Sequence, residues 1–283
     1  GNNDNLDEYY ENSYSDDGSD YSSSSANSVH SGAPSMSEIG RKDDSTNAYE
    51  AGKSIGSLMS AYGLNLDLAP VADVLSGNST GNRTFGTDAQ TVSDMALEVI
   101  RGIQEEDVNA AMKYFPGYGA ASSNMSGFPV INSSLDELKK KEFLPYSNAI
   151  AQGMDFVMVG HISVPNVTGD DTPASLSEKM ISEVLRKDLG FKGIVMTDYL
   201  NDKTIVKNYG AADAAVKAIQ AGADLLLEPD DLEAAYEGVL KAVKKGDITE
   251  DRLDESIYRI LRVKLSMQDE SSDTTESESV SDY

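Results

Sequence analysis

Five residues each stand just beyond a short apolar run and carry a group that can do chemistry: Asp73, Lys113, His161, Asp198 and Glu228. Arg83 lies between the first two, in Asn82-Arg83-Thr84-Phe85-Gly86. A carboxylate at the end of a buried strand can attack an electrophilic carbon, or it can cap the helix that follows. A lysine there can form a Schiff base or donate hydrogen bonds to hydroxyls. A lone histidine is as readily a hydrogen-bonded structural group as a proton shuttle. Which chemistry applies depends on what brings the five together.

The apolar runs predict strands near 64–68, 108–113, 156–159, 193–196 and 225–227. Between them the pattern turns helical, over 48–62, 89–106, 134–152, from Ser177 onward, 211–221, 232–245 and 250–265. Ser134 and Glu137 have the spacing of a capping box, and Pro145, which has no amide hydrogen, predicts that the 134–152 helix kinks or splits. Strands spaced by whole βα units predict a parallel sheet wrapped by helices. Both a doubly wound sheet and part of an eight-stranded barrel fit, and both put function at the C-terminal strand ends where the five residues stand.

Composition bounds the rest. The 283 residues are 39% apolar, enough for a sizeable core, and the formal net charge is −25. From Gly1 to Gly40 there are eight acidic residues and no Lys or Arg, and Gln268 to Tyr283 holds six acids and no base. These ends carry more than half of the net charge. Such segments bury too little apolar surface to offset the entropy of ordering, which predicts an acidic Ser/Asn/Tyr-rich tether over 1–45, a folded domain over 46–267 and an acidic tail over 268–283. The charge argues against nucleic acid and against anionic membrane surfaces as partners. No window reaches the 18 or so apolar residues of a membrane span, and the absence of Cys excludes disulfides. The polar Gly-Asn-Asn-Asp start is similar to the region that follows the lipidated Cys of bacterial lipoproteins. It suggests an extracytoplasmic, membrane-anchored location, with the cytoplasm as the alternative.

Several stretches then come together: 66–74 (LDLAPVADV), 81–88 (GNRTFGTD), 113–119 (KYFPGYG), 158–162 (MVGHI), 173–177 (PASLS) and 193–198 (GIVMTD). In this order and spacing they resemble the N-terminal barrel of glycoside hydrolase family 3, in its β-N-acetylglucosaminidase-like branch, over about 48–265. The resemblance implies a TIM-type (β/α) barrel, here partial with about five βα units and its front strands missing. It implies a retaining hydrolase of β-linked N-acetylglucosamine-type glycans in carbohydrate metabolism, using no metal or organic cofactor. Asp198 matches the family's nucleophile. Arg83 and Lys113 match its sugar-hydroxyl ligands, and Tyr114, His161 and Asp73 stand at positions around the sugar, Asp73 also being suited to hold a loop.

The chain departs from the family where protons move. The usual Lys-His-Phe-Pro-Gly-His-Gly has become a stretch with Tyr114 and Tyr118, and a phenol with a pKa near 10 does not switch charge near neutrality. The Asp-x-His acid/base pair of that branch corresponds to Asn124-Met125-Ser126, and no Asp, Glu or His lies between Tyr114 and Ser134. Substitute donors would be Asp170, Asp171, Asp202 or one of the two tyrosines. Hydrolysis is therefore expected to be impaired, with a non-catalytic carbohydrate- or partner-binding protein on the same fold as the alternative. A five-stranded partial barrel also predicts open edges that a second chain could complete.

Overall fold

The computed structural model describes residues 34–76, 82–122 and 127–276, with side chains to residue 267. Five strands pair in chain order and all in parallel: β1 (Leu66–Asp67), β2 (Asn109–Phe115), β3 (Phe156–Val159), β4 (Ile194–Tyr199) and β5 (Leu225–Leu227). A doubly wound sheet reverses its strand order at a switch point, and this sheet does not. Successive right-handed crossovers carry the helices to one face, so the sheet curls as a half-barrel. The partial TIM-type architecture read from the sequence is the one observed. β3 is buried along its whole length, and β4 from Ile194 to Thr197, as befits parallel strands covered on both faces.

Ahead of β1 stand α1 (Met36–Lys42) and α2 (Ser45–Ala61). The first of these falls in the stretch expected to be tether. Ser35 caps it through the Glu38 amide at 3.2 Å, and Ile39 is buried. Gly40 lies so close to Phe85 that a Cβ would sit 1.8 Å from that residue's carbonyl oxygen, so the folded part reaches back to Met36. Residues 1–33, most of the expected tether, lie outside the described residues.

The crossover after β1 is α3 (Ala89–Gln104), opened by Asp88, whose carboxylate accepts the Thr91 amide at 2.8 Å. Its buried Val92, Met95, Ala96, Val99 and Ile103 recur at helical spacing and face the core. The 134–152 helix is split as its proline demands, into α4 (Leu135–Lys140), with the capping box formed, and α5 (Leu144–Ala151), with Pro145 in its first turn. After β3 come the single turn α6 (Pro165–Thr168) and α7 (Lys179–Asp188), which is wound with i to i+5 bonding. α8 (Lys203–Asn208) and α9 (Gly210–Ala221) follow β4. Beyond β5 run α10 (Leu232–Lys245) and α11 (Glu250–Glu276).

α11 crosses beneath the N-terminal ends of the strands. Arg259 binds Asp224 before β5 at 2.9 Å, Arg262 binds Asp155 before β3 at 2.8 Å, and Met267 meets Asn109 at the start of β2. The helix continues into the stretch expected to be an acidic tail, as far as Glu276. Among the described residues, no helix is long and apolar enough to cross a membrane. Both flanks of the half-barrel leave large apolar side chains exposed: Leu58, Tyr62 and Leu64 beside β1, and Leu232, Tyr236 and Leu240 on α10.

Candidate functional site

The C-terminal strand ends converge on Asp198. This aspartate is on β4, and its Oδ1 accepts the Tyr199 amide at 2.9 Å while its Oδ2 accepts the Tyr118 hydroxyl at 3.4 Å. Burial pushes its carboxyl up from the ordinary range; His161, the Tyr199 amide and Lys113 pull it down, and Asp202 adds to the rise. The result is a carboxylate held in place but incompletely neutralised.

Tyr118 is carried there by the turn that ends β2. Its own amide is fixed by Asp73 Oδ1 at 2.9 Å, and its hydroxyl accepts the His161 amide at 3.1 Å. The turn is tight enough to require Gly119, where a Cβ would lie 2.1 Å from the Val74 carbonyl oxygen. The ring meets Tyr114 edge-on at 5.3 Å, and both rings are buried. The tyrosines that stand where the family has histidines are thus packing and bonding groups of the site's floor.

Lys113 is held in β2 by backbone pairing on the β1 side, donating to Pro70 and accepting from Ala72. Its Nζ lies 5.2 Å from the Tyr114 ring centre. Burial and the nearby Arg83 hold its ammonium below the usual lysine range, against Asp198, Asp67 and Asp73, which favour the charge. Arg83 itself is exposed at the rim. This puts two cations and Asp198 at one end of the half-barrel, a set that can bind hydroxyls beside a nucleophilic oxygen.

Two expected site residues face protein. His161 is 2% exposed, with Nδ1 at 2.7 Å from Ser175 Oγ and Nε2 at 2.8 Å from the Tyr199 carbonyl oxygen. A carbonyl only accepts, so the Nε2 hydrogen is committed there, and both ring nitrogens are engaged. Asp73 is fully buried, and it accepts the Tyr118 amide, a bond that holds the loop. Of the substitute donors named from sequence, Asp202 caps α8 through Thr204 and Ile205, and Asp170 turns back on the Thr172 amide at 2.9 Å. Asp171 is exposed. Asn124-Met125-Ser126 lies outside the described residues.

Sequence reasoning missed the partners rather than the centre. Ser175 sits in the 173–177 stretch, yet nothing local marks it as the histidine's support. Glu228 was visible as a strand-end acid, but its left-handed backbone, φ 42°, was not. Its carboxylate accepts from Asn201 on the loop after β4 at 3.3 Å.

With this geometry in view, the relatives fall into place. A family profile described as the glycosyl hydrolase family 3 N terminal domain matches residues 24–263. Among curated proteins, beta-hexosaminidase LpqI of Mycobacterium tuberculosis is 30% identical over 242 residues, covering 82% of this chain and 62% of its own length. Among solved structures, a glycoside hydrolase family 3 beta-N-acetylglucosaminidase from Paenibacillus superposes with a TM-score of 0.77 at 36% identity, over 81% of this chain and 45% of that one. A family member from Mycobacterium smegmatis gives 0.75 at 34% identity, over 82% and 73%. The chain thus spans about three fifths of the length of LpqI and under half of the Paenibacillus enzyme. It belongs to glycosyl hydrolase family 3, through that family's N-terminal domain.

Proposed function

We propose that the chain serves a retaining glycoside hydrolase acting on β-linked N-acetylhexosamine glycans. The single observation that carries the reading is the half-buried Asp198 carboxylate at the end of β4, fixed through both oxygens and flanked by Lys113. Asp198 attacks the anomeric carbon as the glycosidic bond breaks, giving a glycosyl-enzyme with inverted configuration; water then inverts it again. Arg83 and Lys113 donate to sugar hydroxyls. Tyr114 lines the floor beneath Lys113, while Asp73 and His161 hold Tyr118 and the β4 exit in place rather than touching sugar. The names of the relatives, beta-hexosaminidase and beta-N-acetylglucosaminidase, support N-acetylhexosamine as the sugar class.

The apolar flanks beside β1 and on α10 extend this reading: a further polypeptide segment, or a second chain, covers them and completes the barrel. The reading also places the domain outside the cytoplasm, anchored to a membrane. Protease accessibility in intact cells tests that placement.

Turnover of an aryl β-N-acetylglucosaminide, abolished in Asp198→Asn, is the expected result. Saturable binding of N-acetylglucosamine with no turnover would support the second reading, a sugar-binding protein. That reading is favoured by the replacement of both motif histidines with tyrosines whose rings are buried.

A further inference from the structure

A retaining mechanism needs a second carboxyl group, to protonate the departing oxygen and then to activate water. We infer that Glu228 is this acid/base, an inference that rests on the glycosidase reading above.

Glu228 stands one residue beyond the end of β5, the strand paired with the one that carries Asp198. The register pairs Tyr199 with Leu227. The register shifts between Met196 and Tyr199, so β4 is irregular where it carries Asp198, and positions 198 and 228 are each one residue from the Tyr199–Leu227 pair at the same end of the sheet. The diagonal between their Cα atoms is about 8 Å for strands ~4.8 Å apart. A glutamate side chain is long enough to span much of that distance, as the ~5–5.5 Å separation of the carboxyl groups in retaining enzymes requires.

Three further observations single it out. Its backbone is left-handed at φ 42°, a conformation rare for a residue with a long side chain and found where structure over-determines it, often at functional sites. It is exposed, unlike Asp73 and Glu142, so it can reach a bound glycan. And Asn201 donates to its Oε2 from the loop that follows Asp198, tying its carboxylate to the nucleophile's strand. Asp202, by contrast, is engaged as a helix cap.

The chemistry balances. In the first step an Asp198 oxygen bonds to the anomeric carbon, the bond to the aglycone oxygen breaks, and that oxygen takes the proton of the Glu228 carboxylic acid and leaves as an alcohol. In the second, the Glu228 carboxylate takes a proton from water while the water oxygen bonds to the anomeric carbon. The Asp198 carboxylate is released and Glu228 is again protonated.

The test measures the full chain and its Glu228→Ala, Asp171→Asn and Asp198→Asn variants on a p-nitrophenyl and an alkyl β-N-acetylglucosaminide, with and without sodium azide. Azide attacks a glycosyl-enzyme without needing a general base. For Glu228→Ala we expect a 10²- to 10⁴-fold loss on the alkyl substrate and a smaller one on the aryl substrate. Azide should restore aryl turnover and yield a β-glycosyl azide. The melting temperature of Glu228→Gly should be equal to or above that of the parent, since glycine accepts the left-handed backbone. Glu228→Ala turning over both substrates within twofold of the parent, or losing activity without azide rescue, overturns the assignment; so does transfer of the azide signature to Asp171→Asn. If Asp198→Asn is dead and Glu228→Ala is unaffected, Glu228 alone falls. No turnover by the parent chain, or an active Asp198→Asn, overturns the glycosidase reading as well.

Discussion

Two aspartates sit at opposite ends of adjacent strands, and the molecule treats them in opposite ways. Asp224, before β5, is wholly buried, and it receives Arg186 at 2.6 Å, Arg259 at 2.9 Å, Ser256 at 2.6 Å and the Val195 amide at 2.9 Å, with Arg252 at 3.8 Å. Asp198, at the far end of β4, has one phenol at 3.4 Å and the next residue's amide. Burial is common to both; compensation is not. The first arrangement ties α7 and α11 to the base of the sheet and leaves the carboxylate nothing to do. The second leaves an oxygen with unspent basicity at the mouth. A buried charge with surplus partners is structural, and one with too few is a candidate for chemistry.

Removing the surplus should be the costlier change. Asp224→Asn leaves Arg186 largely buried without a counter-charge and Arg259 with only the exposed Glu255, and about 3–5 kcal/mol of stability should be lost. For a domain of this size that lowers the melting temperature by roughly 10 °C. Calorimetry or a denaturant titration measures it; a loss below about 1 kcal/mol would show that the three arginines find water or other acceptors, and the contrast between the two ends would dissolve.

At Asp198 the same amide substitution should stabilise. Its carboxyl holds its proton more tightly in the folded chain than in the unfolded one, so the charge it bears at neutral pH is a cost, absent below the ordinary carboxylate pKa and growing as pH rises through the folded value. Asp198→Asn should therefore gain about 1 kcal/mol at pH 7, shrinking toward zero below about pH 4, while turnover drops by about 10³-fold or more. Destabilisation at pH 7 would mean the carboxylate is better compensated than its bonds to Tyr118 and Tyr199 indicate.

The sequence makes the strands and the centre of the site legible and hides the compensation. Apolar runs of three or four residues bounded by glycine place β3 and the start of β4, because fully buried parallel strands need nothing else. Ser134, Glu137 and Pro145 forecast the split of α4 from α5, since caps and prolines act locally. α1 was hidden by its acidic, Ser-rich surroundings: two buried residues, Ile39 and Gly40, suffice to dock it, too few to show as a period. Whether His161 and Asp73 faced a ligand or the protein depended on Ser175 and Tyr118, which are distant in sequence and show no pattern linking them. Asp224 gave no sign of its arginines, which come from α7 and α11, 38 and 35 residues away.

The smallest of the expected effects on turnover probes the weak compensation directly. Tyr118→Phe removes the hydroxyl that donates to Asp198 Oδ2 and accepts the His161 amide, and leaves the ring's packing against Tyr114 in place. The charged groups that then act on Asp198 include Lys113 from β2, His161 from the exit of β3 and Asp202 from the loop after β4. With one donor fewer, the Asp198 carboxyl should rise further, so the acid limb of kcat/KM should move to higher pH; the nucleophile must be ionised, and falling pH would silence the variant before the parent. Turnover at the optimum should drop by about tenfold, and the buried amide left without its acceptor should cost about 1–3 kcal/mol of stability. A role confined to packing would lower the melting temperature and leave the limb where it was, so the displacement of the limb, measured on an activated aryl glycoside, decides whether Tyr118 sets the basicity of Asp198.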